Sequence, residues 1–139
     1  MTTASIYLLL EGTCKPAMEF YHSVFGGVLT MTRVEDTPAK NHLPEHLHQR
    51  IIHARLHGAN VDISASDWLR PDEIPVQGNK TCMYISGDSF EEVKSIYDRL
   101  SMEAHITDPF KQEFFGAYGA LNDKYGNRWM FHASTNGEK

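Results

Sequence analysis

One order of elements runs through the chain twice. Residues 6–10 are apolar throughout and close on Glu11-Gly12, the pattern of a short buried strand. Thr13 can cap a following helix, with Pro16 in the first turn, where a missing N–H does no harm. Ala17, Phe20, Tyr21, Val24 and Phe25 recur at helical spacing, and Gly26-Gly27 stops the run. Residues 28–34 resume as strand. Residues 35–49, polar and carrying Pro38 and Pro44, form a long loop. Residues 50–57 and 60–64 flank Gly58-Ala59 as the arms of a hairpin. Residues 66–80, with Pro71, Pro75, Gly78 and Asn79, read as a connector.

After the connector the order begins again. Residues 81–86 form a strand, and Asp88 or Ser89 caps a helix with Glu91-Glu92 behind it. Phe90, Val93, Ile96, Tyr97 and Leu100 make its apolar stripe. Residues 104–107, 117–121 and 128–133 are the next strands, and residues 122–127 form a turn in which Asp123 holds the Tyr125-Gly126 bend. Trp129 and Phe131 alternate with Met130 and are expected beneath the second helix. The expectation is an α+β fold of two βαβββ repeats, about 5–66 and about 81–134, joined by a connector at about 67–80 in a single domain over 1–139.

The 139 residues suffice for a real hydrophobic core, since a chain of this size buries roughly two-thirds of its unfolded surface. Thirteen Lys and Arg against eighteen Asp and Glu give 13 − 18 = −5, with no basic tract, which argues against nucleic acid as a partner. The N-terminal apolar run stops at Leu10, too short to span a membrane and without signal-peptide architecture. Cys14 and Cys82 have no chelating or framework spacing, and two reduced thiols suit a cytoplasmic protein. No phosphate loop, dinucleotide fingerprint or nucleophile elbow is present.

The local motifs carry a resemblance. Ala17-Met18-Glu19-Phe20-Tyr21 followed by Val24-Phe25-Gly26-Gly27, then Pro44-Glu45-His46-Leu47 and Ile52-His53-Ala54, resemble the PhnB-like branch of the vicinal-oxygen-chelate superfamily. So do Phe115-Gly116 and Asp123-Lys124-Tyr125-Gly126-Asn127-Arg128-Trp129-Met130. That superfamily comprises glyoxalases, bleomycin-resistance proteins and extradiol dioxygenases, and the branch is also described as similar to 3-demethylubiquinone 3-methyltransferase domains. The resemblance runs from about Ile6 to His132. It implies that the two mixed sheets curl into a cup holding a metal or a small molecule, and that two chains pair as a homodimer.

Metal-dependent members draw His and Glu ligands from the first, fourth, fifth and eighth strands. The resemblance puts Ile6, then Asp62 or Ser64, then Thr81, then Met130 at those positions, a set poorly suited to a divalent ion. The expectation is therefore no metal and no cofactor, with a divalent metal at a rearranged site as the alternative. His42, His46 and His48 in the long loop have chelating spacing, but a solvated loop has the same composition.

Alternation along the third strand puts Ile52, Ala54 and Leu56 on one face and Ile51, His53 and Arg55 on the other. Facing a cup, His53 could act as a base and Arg55 could bias the site toward anions. The same pattern suits a buried histidine satisfied by a carbonyl. Glu113 is a candidate partner for His53. Trp68, Phe114, Phe115, Tyr118 and Met130 are candidate ligand-binding residues, with core packing the competing role for the aromatic ones. Two functions follow. One is a metal-free site for a small organic molecule. The other is an enzyme of lyase, isomerase or dioxygenase type that uses His53 or a rearranged metal.

Overall fold

The computed structural model describes residues 2–3, 5–78 and 80–134, so the turn signal at Asn79 lies outside the described residues. The chain divides into two compact units, Met1–Val76 and Gln77–Lys139. The first carries strands β1 (Ile6–Leu10), β2 (Val28–Arg33), β3 (Ile51–His57) and β4 (Asp62–Asp67), with helix α1 (Cys14–Phe25) after β1. They form one sheet in the order β1-β4-β3-β2. β1 runs parallel to β4, and the other pairs are antiparallel. The second unit has β5 (Met83–Gly87), α2 (Phe90–Leu100), β6 (His105–Glu113), β7 (Gly116–Asn122) and β8 (Arg128–Ala133). Its sheet runs β5-β8-β7-β6, again with one parallel pair, β5 and β8. Each unit is thus a βαβββ repeat of one topology, and the fold is α+β.

In the first unit α1 lies over β2, β3 and β4 and buries Cys14, Ala17, Met18, Tyr21 and Val24. Leu10, Ala54, Leu56, Ile63 and Ala65 are buried on the sheet. Thr13 occupies the N-cap position, but its side chain makes no capping bond. Asp67, at the end of β4, does that work instead: its Oδ1 accepts the Cys14 N–H at 2.9 Å. The helix stops where Gly26 and Gly27 take positive φ. A Cβ on Gly27 would lie 2.8 Å from the His57 carbonyl oxygen, so the chain can pass β3 this closely only as glycine.

In the second unit Ser89 caps α2, its Oγ accepting the Glu92 N–H at 3.2 Å. Val93, Tyr97 and Leu100 are buried on α2, which packs on β5 and β8. Tyr97 meets Phe131 edge-on at 5.1 Å, and Trp129 and Phe131 are fully buried. Asp123 accepts from Tyr125 N, Asn127 N and Trp129 Nε1 at 2.9, 3.0 and 2.8 Å, so the turn residue also anchors the core indole.

Several boundaries differ from the sequence expectation, each for an identifiable reason. β4 continues through Ser66 and Asp67, residues read as connector, because both pair in parallel with Leu9 and Leu10. β6 runs past Pro109 to Glu113. It is the edge strand of its sheet and is bulged on both sides of Asp108, where a missing N–H is tolerated. The long loop is organised as three 3-10 turns, Val34–Asp36, Pro38–His42 and Glu45–Leu47. A bulge in the β2–β3 pairing breaks the alternation of β3, so Ile51 is buried rather than sharing a face with His53. Among the described residues no helix is long and apolar enough to cross a membrane.

Candidate functional site

The sheet of each unit has one face under its helix and one face turned away from it, and the candidates His53, Arg55, Tyr118 and Met130 fall on the second. In the first unit, β1 directs Ile6, Leu8 and Leu10 to the helix side, so the first-strand position assigned to Ile6 does not lie on the other face. Tyr7 and Leu9 do, 48% and 57% exposed. Ser64 pairs with Tyr7 and with Arg55, and Thr30 pairs with Arg55 from the other side. These four residues make one row across the sheet. His53 lies on the same face, its ring centroid 6.2 Å from that of Tyr7.

Arg55 is engaged there by Asp62. Its Nε donates to Oδ1 at 3.0 Å and its Nη2 to Oδ2 at 3.1 Å, a bidentate pair. The hydrogen bond from Arg55 holds the Asp62 carboxyl below the usual carboxylate range, with the Arg55 and His57 charges adding to it. The anion preference expected of Arg55 is therefore offset by a carboxylate seven residues along the same hairpin. Asp62 and Ser64, the two fourth-strand candidates, share this face.

The second unit gathers more of the expected residues. Tyr84, Met130 and Ala120 form one row, and Ser86, His132 and Tyr118 the next, by strand pairing. Lys111 extends the second row from β6. Phe115, on the turn into β7, lies 6.0 Å from Tyr118 and 6.4 Å from His132, nearly parallel to the imidazole at 15°. Phe114 stands edge-on to Phe115 at 5.0 Å and is 96% exposed. Phe114, Phe115, Tyr118 and Met130 thus come together, with His132 and Tyr84 added. Sequence reasoning left Tyr84 out altogether; its parity with Met130 across a parallel pair was the signal that could have found it.

The remaining candidates have other partners within their own units. Trp68, beyond β4, donates its Nε1 to the carbonyls of Arg70 and Glu73 at 3.1 and 2.9 Å, and so ties down its own connector. Glu113 was expected to pair with His53, which belongs to the other unit; within its own unit its Oε2 lies 3.8 Å from Lys111 Nζ. Thr81 precedes β5. His48 donates Nε2–H to the Leu43 carbonyl at 2.9 Å, a bond that closes the loop on itself and leaves Nδ1 as the ring's acceptor. Among the described residues no three His, Cys, Asp or Glu side chains gather as a metal would require. The donors at the four superfamily positions do not fit a His/Glu metal set either. Cys14 is buried, and desolvation, with Asp67 beside it, pushes its thiol up to about 12. A cavity of about 450 Å³ lies at the β7–β8 turn, lined by Gln77, Gly78, Asn122 and Gly126, away from the aromatic cluster.

Two βαβββ units of one topology, each leaving a polar and aromatic sheet face opposite its helix, define the structural class. A family model described as Glyoxalase/Bleomycin resistance protein/Dioxygenase superfamily matches residues 7–131, and the chain belongs to that superfamily. Protein PA1353 from Pseudomonas aeruginosa superposes with a TM-score of 0.86 at 25% identity, covering 98% of this chain and 100% of that one. The PhnB protein from Bacillus cereus gives 0.73 at 21% identity over 96% and 100%. The fosfomycin resistance protein FosX from Listeria monocytogenes gives 0.62 at 11% identity over 98% and 96%. Comparison with curated protein sequences finds no significant match.

Proposed function

We propose that this chain binds a small organic molecule on a sheet face opposite a helix, without the His/Glu metal set of its superfamily. One observation carries the reading. Tyr84, Phe115, Tyr118 and Met130 share one region of the second unit's sheet, and Tyr84 and Phe115 remain 58% and 39% exposed there. Large apolar groups placed on an accessible face beside a few polar ones are what a flat ligand needs. His53, Arg55 and Tyr7 form a more polar counterpart on the first unit's sheet. A base role for His53 would need a group to orient its ring, and Tyr7 at 6.2 Å supplies a wall rather than a hydrogen bond.

The protein acts in the cytoplasm, a reading supported by two free cysteines, and as a homodimer, supported by exposed apolar residues on the edge strands β2 and β6, Val28 and Ile106. Its acidic balance of −5 makes nucleic acid a poor partner. Elemental analysis of purified protein, followed by a ligand screen with ring resonances observed by NMR, tests the binding reading. Substoichiometric metal and shifts at Phe115 and Tyr118 are expected. One divalent ion per chain, lost on His53→Ala, would overturn the metal-free part.

A further inference from the structure

His132 sits in the middle of the aromatic cluster, and its geometry assigns its protons. Nε2 lies 3.2 Å from the Phe115 carbonyl oxygen. A carbonyl only accepts, so Nε2 carries the hydrogen and the neutral ring keeps its lone pair on Nδ1. The placement depends on a glycine. A Cβ on Gly116 would lie 2.9 Å from His132 Nε2 and 2.7 Å from the Ala133 carbonyl oxygen, at a φ of +120°. Phe115 lies nearly parallel to the imidazole, and Tyr118 faces His132 across the β7–β8 pair. Ser86 is its neighbour on β5, and Lys111, next in the row, has Glu113 at 3.8 Å.

An acceptor nitrogen on an imidazole that lies beside Phe115 and Tyr118 suits a planar ligand that carries its own donor. We propose that His132 Nδ1 accepts a hydrogen bond from the ring hydroxyl of a phenolic ligand lying against Phe115 and Tyr118. This rests on the binding reading above and names the ligand class and the residue that selects it. The selectivity comes from the acceptor: a ring without a donor can make the same apolar contacts but leaves Nδ1 unpaired.

Two measurements test it. Long-range ¹H–¹⁵N correlation of the unliganded protein should show His132 with its proton on Nε2; a proton on Nδ1 would sink the proposal before any ligand is added. Titration with p-cresol and with 4-methylanisole, which lacks the donor, should then give about ten-fold tighter binding of the cresol. His132→Phe keeps a flat ring, removes the acceptor and should abolish that preference. Equal binding of both compounds, with shifts at Phe115 and Tyr118, would overturn the role of His132 and leave the binding face intact. If neither compound, nor any other aromatic molecule in the screen, perturbs those rings, the binding reading itself fails.

Discussion

The carboxylate of Asp67, 3% exposed, accepts the N–H of Cys14 at 2.9 Å and that of Ile51 at 2.8 Å, joining the start of α1 to the start of β3. Asp67→Ala would strand two buried donors at a cost of about 3 kcal/mol, readable by urea denaturation. Asp67→Asn should lose about half as much, since one amide oxygen can still accept one of them. An Asp67→Ala variant as stable as the parent would refute this account. The neighbouring Cys14 thiol, buried and pushed up to about 12, has a signature at high pH. The unfolded thiol ionises near its usual value of about 8.5, while the folded one keeps its proton. Below that range the contribution is fully present. It is lost as pH rises toward the folded value, at up to about 1.4 kcal/mol per pH unit. Cys14→Ala should flatten that part of the pH–stability curve, and a parallel curve for parent and variant would exclude the effect. At this scale the sequence misled in an instructive way: Thr13 has the right chemistry for a cap, yet the bond comes from a residue 53 positions away from Cys14. Local spacing carries no information about such a partner.

Among elements, turns were more legible than strand ends. Asp123 was readable as a turn residue from its neighbours alone, but its bond to Trp129 Nε1 was not, because it needs the chain to fold back along β8. Asp123→Ala removes the acceptor for two backbone N–H groups and one buried indole N–H and should cost about 3 kcal/mol, with the loss visible in Trp129 fluorescence as well as in the denaturation midpoint. β7 depends on its first residue in a comparable way. Gly116→Ala would drive a methyl group toward the Ala133 carbonyl oxygen, a backbone atom that cannot swing away, and should destabilise by about 2 kcal/mol. It should also shift the His132 ring resonances, which a purely distant loss of stability would leave in place. Strand ends escaped the sequence reading where polarity and pairing disagree. Ser66 and Asp67 look like loop but complete β4, and Pro109 looks like a stop but sits in an edge strand. The grouping of Phe114, Phe115 and Tyr118 on the second sheet was legible because they lie close along the chain, whereas Met130 joins it through strand pairing. Tyr84 belongs to it only through its pairing with Met130.

Across the whole molecule, the duplication was the most durable part of the sequence reading, because a repeated pattern of periods survives errors of two or three residues at every boundary. The same duplication bears on association. Each four-stranded sheet has two edge strands, β1 and β2 in one and β5 and β6 in the other. Pro109 and the bulges of β6 blunt one of them. β2 is less protected: Val28 is exposed at its start, and its pairing with β3 stays regular until the bulge near Arg33. A second copy is the partner always present at equal concentration, and a two-fold contact would satisfy such an edge in both chains at once. Light scattering at micromolar concentration should therefore give twice the mass of a single chain. Two chains of charge −5 repel, so raising the salt at neutral pH should tighten the pair, the reverse of what a contact made by opposite charges would show. Replacing Val28 with lysine adds charge at the exposed start of β2 and should weaken association without changing the unfolding midpoint of the dissociated chain by more than about 0.5 kcal/mol. A single-chain mass at every concentration tested would rule out the dimer, and a dimer indifferent to Val28→Lys would move the contact away from β2.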